Sequence, residues 1–393
     1  MKDIRTILVT TKYRYIGDTL LAVPTLRAIR STWPNARVIL LTGNSAAELM
    51  RNCPYVNEII AFNPECPDNR GLNLYRNLVP RLRREKIDLS FVYHSSFHAA
   101  LTPWLAGAKR RIGWAGFEGR DFLFSQSYPY TEDCSELECD LQLVRNVAPN
   151  AVTDSLLELW LTPDELNDVP ANLVGGDRIV GIQPGATNDG KRWPAEHFAA
   201  LAEMLIGKGL ADRIAIIGGQ DEIDARREFV SATSSRIAGT LIDLTGRLTL
   251  RQSLASLKRL TFFVGNDTAI RHCTVALDVP SIGLFGPTNS VKWGNCNPPR
   301  QQIIVSPTRI MADISPEDVF DKVSAIFETH SEQAPTCFAA TGSQDSEDRK
   351  RSKVRGLDRA QTEPSSATQG SSETLVQTSD ATVDAVSLKS FAA

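Results

Sequence analysis

The sequence predicts an α/β protein of two doubly wound halves. Short apolar runs alternate with amphipathic stretches of about 10–15 residues, the pattern of parallel strands joined by right-handed crossovers. The alternation runs once from residue 5 and starts again at Asp177. Between the two series, the stretch from Thr162-Pro163-Asp164-Glu165 to Gly175-Gly176 is rich in chain breakers and reads as a hinge. At 393 residues the chain is also too long for one ordinary core.

In the first series, strands are expected over 5–10, 36–41, 57–61 and 88–92, with helices near 19–32, 45–52 and 72–86. Residues 106–165 are less regular, with a short strand near 110–113. In the second, strands fall near 178–183, 213–218, 240–244, 261–265, 281–285 and 301–305, and helices near 194–208, 221–235, 249–259, 268–277 and 315–329. This gives two Rossmann-like domains, 1–165 and 166–330, facing each other across a cleft. Of the 63 residues from 331 to 393, 18 are Ser or Thr and none is Ile, Trp or Tyr. Such a segment buries too little apolar surface to offset its ordering entropy, and a disordered tail is expected.

Composition narrows the function. With 42% hydrophobic and 23% charged residues the chain has a soluble globular make-up, and a net charge of −3 argues against bulk nucleic-acid binding. The seven cysteines (Cys53, Cys66, Cys134, Cys139, Cys273, Cys296 and Cys337) are scattered, with no CxxC pair. That fits reduced thiols better than a disulfide framework or a zinc site. Met1-Lys2-Asp3-Ile4-Arg5 leads straight into a strand with no signal-peptide core, and no apolar run approaches the ~18 residues of a membrane span. A cytoplasmic protein is expected, with any membrane contact peripheral.

Four loops carry the chemistry. After the first strand comes Lys12-Tyr13-Arg14-Tyr15-Ile16-Gly17-Asp18, at the carboxyl edge where open α/β sheets bind ligands. A carboxylate there suits proton removal from a hydroxyl, or it simply caps the next helix. The first loop of the second half, Gln183-Pro184-Gly185-Ala186-Thr187-Asn188-Asp189-Gly190-Lys191-Arg192-Trp193-Pro194, offers a hydroxyl, a flexible glycine and an ammonium before a helix start. Those groups suit a diphosphate, although Lys191 and Arg192 also read as ordinary solvated charges. Gly218-Gly219-Gln220-Asp221-Glu222 follows a strand and places acids where ribose hydroxyls or the helix dipole would want them. In the fourth loop, Asn266-Asp267-Thr268-Ala269-Ile270-Arg271-His272, Thr268 and the amides after it point at an anion and Asp267 suits a sugar hydroxyl. An Asp cap with a packed His is the alternative. No Asp/Glu/His cluster has metal-ligand spacing, so no metal dependence is expected.

Together, Gly17-Asp18 with Leu20-Leu21-Ala22-Val23-Pro24, Pro184-Gly185-Ala186 through Lys191-Arg192-Trp193-Pro194, and Asp267-Thr268 through His272 with Phe285-Gly286-Pro287-Thr288 resemble glycosyltransferase family 9, the ADP-heptose:lipopolysaccharide heptosyltransferases. Lys109-Arg110-Arg111-Ile112-Gly113-Trp114 is similar to a first-domain segment of that family, and the likeness spans roughly residues 4–330. The wording of Lys12 to Leu21 is nearest the heptosyltransferase III-like branch. The resemblance implies a GT-B fold, with the acceptor on the first domain and ADP-heptose on the second, and inverting transfer without a metal or other cofactor. It implies Asp18 as general base, with Thr187 and Lys191 on the diphosphate. Asp267 and Thr268 would contact donor sugar and phosphate, Asp221 would be the ribose acid, and His272 would match a family histidine of open role. Ala269 stands where the family usually has Gly, Arg271 is bulkier than usual, and the ribose acid is open between Asp221 and Glu222.

The implied acceptor is an anionic, lipid-linked oligosaccharide core. Residues 81–120 hold eight Arg and Lys against three acids, near Trp104, Trp114 and Phe117. That segment reads either as a peripheral membrane and acceptor surface, with Gly17, Arg110 and Arg111 meeting the acceptor, or as a solvated basic face. Rival functions are another sugar-nucleotide enzyme on the same scaffold, with a different donor or as an epimerase, and a non-catalytic nucleotide-binding protein. An NAD-dependent oxidoreductase would want GxGxxG where Tyr13-Arg14-Tyr15-Ile16-Gly17-Asp18 stands.

Overall fold

The computed structural model describes residues 4–13, 16–62 and 71–331. The expected tail beyond Ser331, Arg14 and Tyr15 of the first loop, and Cys66 and Cys337 lie outside the described residues. In the first half the strands are β1 (Thr6–Thr10), β2 (Arg37–Gly43), β3 (Glu58–Phe62), β4 (Leu89–Val92), β5 (Arg110–Ala115) and β6 (Gln126–Pro129). In the second they are β7 (Ile179–Gln183), β8 (Arg213–Ile216), β9 (Leu241–Asp243), β10 (Phe262–Asn266), β11 (Ser281–Phe285) and β12 (Gln301–Val305). The helices are α1 (Ile16–Leu21), α2 (Val23–Thr32), α3 (Asn44–Leu49), α4 (Gly71–Arg84), α5 (Phe97–Leu105), α6 (Glu136–Val147) and α7 (Pro163–Asn167). In the second half follow α8 (Ala195–Gly207), α9 (Ile223–Ala232), α10 (Ser235–Ala238), α11 (Leu250–Leu257), α12 (Ala269–Ala276), α13 (Ser290–Trp293) and α14 (Pro316–Ser331).

Each half holds one all-parallel six-stranded sheet. The orders are β3-β2-β1-β4-β5-β6 and β9-β8-β7-β10-β11-β12, so the two sheets repeat one topology. Strand order reverses between β1 and β4 and again between β7 and β10, and a crevice for ligands opens at the carboxyl ends of those pairs. Central strands are buried on both faces: every residue of β1, β7, β10 and β11 is buried, as helices on both sides of a parallel sheet require.

The helix expected over 19–32 is two. Pro24, in the first turn of α2, lacks an N–H, and the chain breaks at Ala22. The less regular residues 106–165 supply β6 and α6 besides β5, and α5 before them is not among the expected helices. Ser96 and Ser135 cap those helices by accepting from the amides of Ala99 and Glu138. Between the two series, Thr162 and Glu165 form a reciprocal capping box at the start of α7. One apolar cluster runs from Val9 and Leu20 in the first half to Leu254, Leu257, Ile270 and Cys273 in the second. The two lobes are therefore packed together, and no helix of the described residues is long and apolar enough to cross a membrane.

Candidate active site

The loops after β1, β7 and β10 meet where the lobes face each other. Asp18 is the third residue of α1, inside the helix and not at its cap. Its carboxylate accepts from the Lys12 ammonium at 3.1 Å, and its side chain is 13% exposed, enough to be reached from the cleft. Burial pushes the Asp18 carboxyl above its ordinary pKa, against the pull of Lys12 and of Lys191 from the other lobe. Burial works against the Lys12 charge, yet Asp18 and Glu136 together raise its pKa. The result is a largely desolvated carboxyl group that is more basic than a surface aspartate.

Opposite Asp18 stands the start of α12. A Cβ on Gly17 would lie 3.4 Å from His272 Cδ2 and 3.5 Å from Ala269 Cα, so the two helices touch at these residues. Thr268 precedes α12, and its hydroxyl donates to Gln183 Oε1 at 2.6 Å. With the side chain so engaged, the first-turn amides of α12 keep their donors for a ligand. Asp267 is buried, and Lys191 Nζ lies 3.4 Å from its Oδ2. Lys191 closes a single 3-10 turn, Asp189–Lys191, capped by the Asn188 side chain at the amide of Gly190.

Asn266, which sequence reasoning passed over, pins this loop. Its Nδ2 donates to the carbonyls of Pro184 and Gly185, each at 3.1 Å, while its Oδ1 accepts from the Trp193 amide at 3.0 Å. Trp193 is itself sunk into the second core, with its indole N–H on Ile314 O. The amide of an Asn directly before Asp267 thus holds both ends of the Lys191 loop.

The remaining expected residues divide. Thr187 is exposed on the rim of the same loop. Asp221 is exposed on the turn after β8, whereas Glu222 turns inward, accepting from the Gly219 amide at 2.8 Å and from Gln183 Nε2 at 3.1 Å. Burial pushes the Glu222 carboxyl up to about 7. Of the two candidate ribose acids, Glu222 is the one at the carboxyl edge of β7. His272 is buried, and burial together with Arg271 and Lys191 holds its pKa well below the usual value, so the ring is neutral.

Arg110 and Arg111 are not brought to this edge. They begin β5, at the amino end of a parallel strand, while Asp18 follows the carboxyl end of β1. Arg111 is spent on the carbonyls of Leu123 and Ala108, and Arg110 donates to Gln126. The basic segment is less cationic on its surface than in sequence. Arg120 is fully buried and donates to the carbonyls of His94 and Ser96, and Arg81 and Lys109 pair with Glu58 and Asp88. Two site residues had no local signal at all. Glu136 begins α6 and lies 2.9 Å from Lys12, 124 positions away in sequence. Lys292, on α13, lies 3.0 Å from Glu136 across the lobes.

A base candidate and an anion cradle thus face each other between two repeated sheets, and the model of glycosyltransferase family 9 (heptosyltransferase) matches residues 75–324. The chain belongs to glycosyltransferase family 9. As a glycosyltransferase it is 26% identical over 291 residues to lipooligosaccharide heptosyltransferase 2 of Haemophilus influenzae, covering 70% of this chain and 82% of that one. Lipopolysaccharide heptosyltransferase 3 of Escherichia coli is 22% identical over 71% of this chain and 83% of its own, so identity does not single out the III-like branch. The solved structure of E. coli ADP-heptose lipopolysaccharide heptosyltransferase II superposes with a TM-score of 0.71 at 22% identity, over 83% of this chain and 99% of that one. The expected GT-B fold is therefore the observed one.

Proposed function

We propose that this glycosyltransferase moves a heptose from ADP-heptose to a hydroxyl of the lipopolysaccharide inner core, by a single inverting displacement that uses no metal. The observation that carries the reading is the placement of Asp18, raised in pKa, against α12 and Lys191 of the opposite lobe. Asp18 takes the proton as the acceptor oxygen attacks the anomeric carbon, the bond to the diphosphate oxygen breaks, and ADP leaves with both electrons of that bond. General-base help of this kind contributes about 10²–10⁴ in rate. Lys191 and the α12 amides, with Thr187 at the rim, face the charge that grows on the leaving diphosphate. Asp267 takes a donor-sugar hydroxyl, Thr268 and Ala269 offer amides to phosphate, and Glu222, in place of Asp221, takes the ribose. The neutral His272 ring supplies shape or a neutral hydrogen bond and no charge. An ADP-heptose donor and a lipopolysaccharide acceptor accord with the names of the relatives, and a cytoplasmic enzyme in peripheral contact with the inner membrane would meet both.

The test is a donor panel assayed for nucleotide release with heptose-deficient core as acceptor. ADP should appear only with ADP-heptose and acceptor together, with the anomeric configuration inverted in the product. Turnover with another sugar nucleotide and none with ADP-heptose would overturn the donor. Binding of NAD but not ADP would overturn the transferase reading altogether.

A further inference from the structure

A base that strips a hydroxyl proton must be aimed and must stay basic, and Asp18 is set in both respects by its neighbours. Lys12 holds it at 3.1 Å, and the Lys12 ammonium also sits 5.3 Å from the centre of the Trp293 ring. Lys12 is held in turn by Glu136 Oε1 at 2.9 Å. The other oxygen of Glu136 accepts from the Tyr130 hydroxyl at 2.7 Å and lies 3.0 Å from Lys292 Nζ. Lys292 comes from the opposite lobe and reaches into the first, where it also donates to Thr131 O at 3.1 Å and to Cys139 Sγ at 3.2 Å and lies over the Tyr130 ring.

Glu136 and Lys292 are 3% and 6% exposed, and a carboxylate so placed is tolerated only when fully paired. Two ammonium groups and two carboxylates balance here. Asp140, one turn further along α6, is buried with an unpartnered oxygen. Burial, reinforced by Glu136, raises its pKa well above the ordinary value, which disfavours a third negative charge here. Burial opposes ionisation of Glu136, but Lys12, Tyr130 and Lys292 hold its pKa below the usual range. Glu136 is thus a fixed anion divided between a lysine of each lobe.

We propose that Glu136 is a positioning residue for Asp18: through Lys12 it fixes the base's direction and charge, and Lys292 from the opposite lobe sets how tightly Lys12 grips the base. The inference rests on Asp18 being the base. Lys12, Glu136, Lys191 and Asp140 are the titratable groups that act on Asp18; Lys12, Tyr130, Lys292 and Asp140 act on Glu136, and Cys139 meets Lys292. Two substitutions then act in opposite directions. Glu136→Gln removes a negative charge near Asp18 and leaves Lys12 to Asp18 alone, so the base becomes less basic. Lys292→Met removes the second cation from Glu136, which draws Lys12 away from Asp18, so the base becomes more basic.

The experiment is the pH profile of kcat for both variants, with Asp18→Asn and Glu136→Asp alongside and donor KM measured at each pH. In Glu136→Gln, kcat falls about 10- to 100-fold from misplacement of the base, donor KM stays within about threefold, and the acid limb moves to lower pH. In Lys292→Met the acid limb moves to higher pH, and Glu136→Asp, which keeps the negative charge, holds the limb nearer the wild-type position than Glu136→Gln does. Limbs that stay in place while the melting temperature falls would show a merely structural ion pair and overturn the proposal. Shifts of the same sign in both variants would also overturn it. If Asp18→Asn keeps its turnover, the base reading itself fails; if Asp18→Asn is inactive and the limbs do not move, only the role of Glu136 fails. Should Glu136→Gln not fold, Lys292→Met carries the sign test alone.

Discussion

Removing Arg271 should unseat the segment that carries Lys292. Arg271 is 1% exposed, and its guanidinium donates to Asn295 O at 2.7 Å and to Trp293 O, lies 2.9 Å from His272 Nδ1 and stacks over Phe285. In Arg271→Ala two half-buried carbonyls lose a charged donor and a long side chain leaves a void, for a cost of about 3–5 kcal/mol. The room for Arg271 is made by Gly283, where a Cβ would lie 2.4 Å from Arg271 Cδ. Gly283→Ala alone should therefore destabilise by about 1–3 kcal/mol through overpacking, and should cost at least about 1 kcal/mol less in the Arg271→Ala background. The assay is denaturant unfolding of the four proteins in the cycle, with His272 titrated by NMR. With Arg271 gone, His272 loses a neighbouring positive charge and its pKa should rise. Additive losses across the cycle, or an Arg271→Ala unfolding midpoint equal to wild type, would refute the reasoning.

Three further outcomes follow from the geometry. Asn266→Ala, which frees the carbonyls of Pro184 and Gly185 and the Trp193 amide, should cost about 2–3 kcal/mol in unfolding experiments and raise hydrogen exchange in 184–193. Gly185→Val should weaken ADP binding about tenfold by calorimetry, because a Cβ there meets Glu222 Oε1 at 2.5 Å and must displace the proposed ribose acid. Hydrogen bonding from Arg251 holds the Glu165 carboxyl down to about 2 in the folded protein. Its contribution to stability is complete above the ordinary carboxylate pKa of about 4.3 and is lost as pH falls through that value toward 2. Glu165→Gln should flatten that part of the stability–pH curve, and an unchanged curve would remove Glu165 from the account.

The alternation of strands and helices, and with it both sheets, was legible because parallel strands buried on two faces are written as apolar runs between breakers. Residues 106–165 were harder. There β6 is exposed at the sheet edge, and α6 buries the acids Glu136 and Asp140 on the face a periodicity argument reserves for apolar residues. The Lys191 and Asp267 loops were legible as local strand-to-helix turns, and so was the turn of Asp18. Glu136 and Lys292 were not, because each is functional only through a partner on a distant element, and no spacing rule links Lys12 to a residue 124 positions away. The family resemblance implies Asp221 as the ribose acid and leaves Glu222 open. Which of two adjacent acids turns inward is decided by Gly185 and Gln183 on a neighbouring strand end, and so is invisible to a linear reading.

The most direct measurement pairs ADP calorimetry with turnover in Asp18→Asn and Lys191→Met. Asp18→Asn should lose about 10²–10⁴ in kcat while binding ADP at least as tightly as wild type. Lys191→Met should weaken ADP about 10- to 100-fold, the worth of one charged hydrogen bond. An Asp18→Asn protein that binds ADP much more weakly but turns over saturating donor at the normal rate would contradict the assignment of base and cradle to opposite lobes.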